Sequence, residues 1–163
     1  LPPADAVELL AAYGIDAVPT LPAPTADEAV PIADQGVEMV VGVVHDPAFG
    51  PLVMLGAGGV AGELLADRTY RILPLTDRDA AAMVRSLQLA PLLFGYRGRP
   101  HAAVGKLEEL LLRLARLADD LPVVAELDGN PVIVTTTGAR VADIKVRVAS
   151  AAPGLPGDRR MRS

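Results

Sequence analysis

"LPVVAELDGNPVIVTTTGARVADIKV", residues 121–146, decides the fold of this chain. Three strand-like runs begin in it, "VVAELD", "PVIVT" and "ARVADIKVRV", the last continuing to Val148, and the turn-forming "TTTG" joins the last two. Side chains of a strand alternate between faces, so Glu126, Asp128 and Asn130 share one face if the strand runs unbroken to Asn130. The hairpin then fixes what stands opposite them. With Thr135 to Gly138 as the loop, residue 134 faces 139 and Asn130 lies opposite Asp143. A loop of Thr137 and Gly138 alone puts Asp143 opposite Val132, still on the Asn130 face, whereas a three-residue loop inverts it.

Outward from this stretch, strands and helices alternate in blocks. "VEMVVGVVHD" and "LVMLGA" read as strands joined through "DPAFGP", an antiparallel hairpin, and "YRILPL" as a third strand after a short helix in "AGELLADR". "TDRDAAAMVRSL" opens on Thr76 three residues before Asp79, the spacing of a capping box. "KLEELLLRLARLADD" sets Leu107, Leu110, Leu111, Leu114 and Leu117 along one stripe, with Glu109 four before Arg113 on the solvated side. At the start, "PPADAVELLAAYGI" predicts a helix stopped at Gly14, followed by a strand in "IDAVPT" and a helix start at Thr25 with Glu28 behind it. The order predicts an α+β domain, a mainly antiparallel sheet covered by helices.

Composition narrows the function. The chain has 163 residues, 51% of them hydrophobic, enough for one core, and a net charge of −5. That charge leaves no basic patch for a row of phosphates, so nucleic acid is disfavoured as a partner. There is no cysteine, hence no disulfide and no thiolate metal site. The leucine-rich helix is broken by Glu108, Glu109, Arg113 and Arg116 and is no membrane anchor; no membrane partner is expected, and the cytoplasm is the expected location.

Asp128, Asn130 and Asp143, with Lys145 further along, make a group of hard oxygen donors. Such donors suit magnesium, which takes one or two protein carboxylates and leaves other positions to water and substrate phosphate. Spacing leaves two readings open, a metal–nucleotide site or turn and strand-end residues on a solvated face. "GAGGV" lacks the Lys-Ser/Thr of a phosphate loop and reads as a tight strand-to-helix turn at Gly58 and Gly59. His45 and His101 have no partner suggested by spacing and read as surface residues, and Arg97 and Arg99 lie in a glycine-bearing loop.

"GVEMVVGVVHDPAFGPLVMLGAGGVAGELLADRTYRILPLTDRDAAAMV" and "LPVVAELDGNPVIVTTTGARVADIKV" resemble, in that order, the C-terminal half of the ATP-grasp domain of NDP-forming acyl-CoA synthetases. "AVELLAAYGIDAVPTLPAPTADEAV" is similar to the start of that domain, so the resemblance runs over residues 4–148, with "DPAFGP", "GxGGV" and "ELDxNP" its most specific phrases. It implies a lead-in at residues 1–30, an ATP-grasp C-terminal subdomain at 31–150 and a flexible tail at 151–163.

The same resemblance implies roles. Asn130 and Asp143 match the positions that hold magnesium on the nucleotide phosphates, with Asp128 beside them. Glu38 and Arg71 match polar positions of the family pattern, from which a role near the phosphates is a looser inference, and Glu63 either faces the active centre or is a solvated helix residue. Arg71 and Glu63 are thus the catalytic candidates, Glu38 and Asp128 the cofactor-binding ones, and ATP and magnesium the expected cofactors. The implied chemistry is phosphoryl transfer between ATP and a carrier histidine within an acyl-CoA (acetate–CoA) ligase, with CoA-binding and ligase domains of the same protein as partners.

The family's domain is also found fused to GNAT acetyltransferases in Pat-type lysine acetyltransferases. The alternative is therefore a non-catalytic nucleotide-binding domain regulating such a partner, and a third reading is a structural module without ligand. In the family, a lysine-bearing N-terminal subdomain stands between the stretches corresponding to "TADEAV" and "GVEMVV". Here only "PIADQ" stands there, and the chain's two lysines, Lys106 and Lys145, lie elsewhere.

Overall fold

Ten residues, Val37–Asp46, pair with a strand on each side and make β1 the middle of a six-stranded sheet. The computed structural model describes residues 1–18 and 36–149. Its elements are α1 (Pro3–Ala12), β1, β2 (Gly50–Ala57), α2 (Gly59–Leu65), β3 (Arg68–Ile72), α3 (Asp77–Ser86), α4 (Ala90–Leu93), a 3-10 turn at Tyr96–Gly98, α5 (Val104–Asp120), β4 (Val124–Val134), β5 (Ala139–Val141) and β6 (Ile144–Val148). The sheet runs β3-β2-β1-β4-β5, with β6 also on β4, and every pair of these strands is antiparallel.

Alternation in β1 and β2 sends Met39, Val41, Val43, Val53 and Leu55 to one face, where they meet the leucine stripe of α5 and Ala80, Met83 and Val84 of α3. Covering a leucine in this way removes it from water at a gain of about 1.5–3 kcal/mol each. Glu109 pairs with Arg113 and Arg116 with Asp120 on the solvated side of α5, as the i,i+4 spacing requires. Thr76 closes the expected capping box: its hydroxyl accepts from the Asp79 amide, and the Asp79 carboxylate accepts from the Thr76 amide.

α1 joins the same core through Ala6 and Leu10 and stops at Gly14, whose φ is +71°. An added Cβ there would fall 1.7 Å from an Arg113 guanidinium nitrogen. Of the strand expected in "IDAVPT", the described residues, 15–18, show one parallel bridge, Ala17 to Val141. The helix start at Thr25 and the tail from 151 lie outside the described residues.

The decisive stretch is partitioned differently from its sequence reading. "VVAELD" and "PVIVT" form one strand, β4, while "ARVADIKVRV" is cut into β5 and β6 at Ala142 and Asp143. The four-residue loop holds, with Val134 opposite Ala139 and Val132 opposite Val141.

Against β1, however, β4 carries one extra residue: Met39 pairs with Val132 and Val41 with Gly129. Asn130 and Pro131 form this bulge, joined by a cis peptide bond. Core residues change from Leu127 before the bulge to Val132 and Val134 after it, a switch from odd to even positions. β5 and β6 switch in step, from Val141 to Ile144 and Val146.

The outer face and its oxygen donors

A matched bulge and break let neighbouring residues on each strand avoid the core face. Asn130 and Asp143 are brought together there, the Asn130 amide donating to the Asp143 carbonyl at 3.0 Å and the Ala142 amide to the Pro131 carbonyl at 2.9 Å. Both lie towards the face away from the α3 and α5 layer, the outer face. Asp128 is on it too, paired with Gly42 on one side and Lys145 on the other. Glu126 pairs with Arg147 further along, and their side chains form an exposed ion pair at 3.2 Å.

Glu38 stands on the same face, opposite Ile133. The "GAGGV" turn folds over it: the Gly58 amide donates to the Glu38 carbonyl at 2.9 Å, and a Cβ on Gly59 would lie 3.0 Å from a Glu38 carboxylate oxygen. Gly59 has φ +66°, so this turn needs glycine for conformation as well as for room. Between Glu38 and Asp128, Val40, Met54 and Ile133 supply apolar ground, each buried.

One candidate, Arg71, is placed apart from this group. Arg71 pairs with Val53, a core residue, so it projects towards the helical layer, and its guanidinium donates to the Thr69 hydroxyl at 3.0 Å and the Tyr70 carbonyl at 2.8 Å. Glu63 is exposed on α2, one turn beyond Gly59. Each histidine has a local setting. A ring nitrogen of His45 is 2.9 Å from the Ala125 carbonyl, at the end of β1 remote from Glu38, and the His101 ring packs at Gly95.

Sequence reasoning passed over Arg68 and Asp67. Arg68 pairs with Gly56 and Gly56 with Val40, so Arg68 belongs to the outer face. The face it takes depends on the register of β3 on β2, which spacing alone does not supply. Asp67 is buried and accepts from the Gln88 and Leu89 amides at 2.9 and 3.0 Å, tying β3 to the start of α4.

Among the described residues no group of three or more His, Cys, Asp or Glu side chains is placed to hold a metal. Asn130 and Asp143 instead offer an amide and a carboxylate at one point of the sheet. This donor set fits magnesium, which keeps most of its coordination for water and phosphate, better than a metal needing an all-protein cage.

Residues 31–148 match the ATP-grasp domain family. The ADP-forming acetate–CoA ligase I of Archaeoglobus fulgidus is 43% identical over 115 residues, 71% of this chain and 17% of that protein. The beta subunit of ADP-forming acetate–CoA ligase II of Pyrococcus furiosus is 37% identical over 119 residues, 72% of this chain and 50% of the subunit. The chain thus spans half or less of the length of these relatives.

Among solved structures, the dinucleotide-forming acetyl-coenzyme A synthetase 1 of Ca. Korarchaeum cryptofilum superposes with a TM-score of 0.78 at 26% identity, over 91% of this chain and 92% of that one. That protein was solved with coenzyme A and Mg-AMPPCP, its phosphohistidine segment pointing towards the nucleotide binding site. A second structure of it, with coenzyme A and Ca-AMPCP, gives 0.67 at 37% identity over 70% of this chain and 50% of that one.

Proposed function

The chain belongs to the ATP-grasp domain family of NDP-forming acyl-CoA synthetases, and on that premise we propose that its outer face binds the phosphates of a magnesium–nucleotide complex. The observation that carries the reading is the matched irregularity at Asn130–Pro131 and Ala142–Asp143, which brings the backbones of Asn130 and Asp143 together on that face. Asn130 and Asp143 would hold magnesium, and Asp128 and Glu38 would position the complex from either side along the strands. Magnesium bound there would neutralise phosphate charge and help orient the terminal phosphoryl group for transfer.

Within the larger protein the reaction is phosphoryl transfer from ATP to a carrier histidine, in which the terminal P–O bond breaks, a P–N bond forms and ADP leaves. The phosphohistidine segment of the Korarchaeum enzyme supports this, as does the place of His45 at the end of β1 remote from Glu38; in this reading the acceptor is neither described histidine. The phosphohistidine then serves acyl–CoA ligation by CoA-binding domains of the same protein, in the cytoplasm. Val40, Met54 and Ile133 contribute by keeping the ground under the phosphates dry, which strengthens each charge contact there.

A titration of the full-length protein with Mg-ATP tests the reading. Asn130→Ala and Asp143→Ala are each expected to weaken binding about tenfold or more, as loss of a charge-assisted contact does. Unchanged affinity in both variants would remove the metal assignment.

A further inference from the structure

We propose that Arg68 is a phosphate-binding residue of this site, gripping the nucleotide's phosphate chain from the β3 side. The inference rests on the outer-face reading and names a group which that reading does not contain. The register carries it first. Arg68 pairs with Gly56, Gly56 pairs with Val40, and Val40 lies level with the bulge of β4. Arg68 and Asn130 are therefore on one row, three strand spacings or about 14 Å apart between backbones. An extended arginine and a short acidic or amide side chain leave between them a gap that a metal-bound polyphosphate spans.

The direction of the side chain follows from Gly56. A Cβ built there would lie 2.9 Å from the Arg68 Cγ, so the arginine stem is laid across β2 over the space that Gly56 leaves. The head group is also available. Among the described residues the Arg68 guanidinium has no hydrogen-bond or ion-pair partner, whereas those of Arg140 and Arg147 are held by Asp16 and Glu126. Arg71, the other arginine of β3, is committed to the helical side. A guanidinium presents a planar fork of donors matched to two phosphate oxygens, which a lysine does not.

The test uses the full-length protein, with Mg-ATP and AMP titrated by calorimetry. Arg68→Gln is expected to weaken Mg-ATP about ten- to a hundredfold and to lower the ratio of Mg-ATP to AMP affinity, with Arg68→Lys recovering part of the loss. Gly56→Ala keeps the arginine but fills its path and is expected to lower the same ratio, while Arg78→Gln, on α3, leaves it unchanged. Arg68→Gln binding Mg-ATP within twofold of the unsubstituted protein, while Asn130→Ala has lost it, overturns the Arg68 assignment and leaves the site reading standing. An unsubstituted protein that does not bind Mg-ATP overturns both.

Discussion

A buried carboxylate such as Asp67, 6% exposed, is costly to bury unless its oxygens are satisfied. Two backbone amides, of Gln88 and Leu89, do this from across 21 and 22 residues of sequence. Asp67→Ala leaves both amides unpaired in a closed place, and we expect a loss of about 2–4 kcal/mol in urea denaturation. Asp67→Asn, which keeps one acceptor oxygen, should lose less; equal losses would mean that packing, not the hydrogen bonds, is what matters there. No spacing rule reveals Asp67, because its partners are set by the return of the chain after α3.

Arg68 and Arg71 differ in the same way. They lie three positions apart, which inverts the face, so only the register of β3 on β2 tells which one looks outward. Asn130 and Asp143 were legible because their proximity depends on a short loop. Its four residues are local in sequence and set the pairing of both arms.

Among the elements, α3 shows what local sequence can determine. Its start is written in Thr76 and Asp79 alone, and the structure closes both bonds of the box. Thr76→Ala is expected to cost about 1 kcal/mol near neutral pH, measured by thermal or urea unfolding. The same box has a pH signature. The Thr76 hydroxyl, then its amide, hold the Asp79 carboxyl below its ordinary value, with the charge of Arg71 adding a smaller effect. A carboxylate whose pKa is lowered by folding stabilises above its unfolded pKa, and that stability is lost as pH falls through the lowered value. The gap between Thr76→Ala and the unsubstituted protein should therefore narrow in acid; a gap constant from pH 7 down through the acidic range would separate the hydroxyl's contribution from the carboxylate's charge.

β4 is the contrary case. A proline within a run argues against a continuous strand, so the sequence reads as two pieces. The structure keeps one strand because the Pro131 carbonyl is still used, accepting from Ala142, while the extra residue is absorbed as a bulge against β1. That accommodation needs the partner strand to break at the same level, which no single run discloses. α4, four residues long, is too short to show a helical period at all.

At the scale of the whole molecule, the sheet separates two tasks. Its inner face is dry and closed by α1, α3 and α5, with Leu107, Leu111, Leu114 and Leu117 all essentially inaccessible to water. Its outer face carries Glu38, Asp128, Asn130, Asp143, Lys145 and Arg68 around a small apolar ground. If binding is a property of the outer face, damage to the inner one should lower stability without altering the site. Leu111→Ala removes a fully buried side chain from the centre of α5 and is expected to cost about 2–5 kcal/mol, depending on how far the neighbours collapse into the space. The folded fraction of that variant, titrated with Mg-ATP below its unfolding transition, should bind within about twofold of the unsubstituted protein, as distant sites without shared partners behave nearly independently. A larger change would show that packing of α5 on β1 and β2 is transmitted through the strands to the bulge, and the sheet would then be a coupling element between its two faces, not a partition.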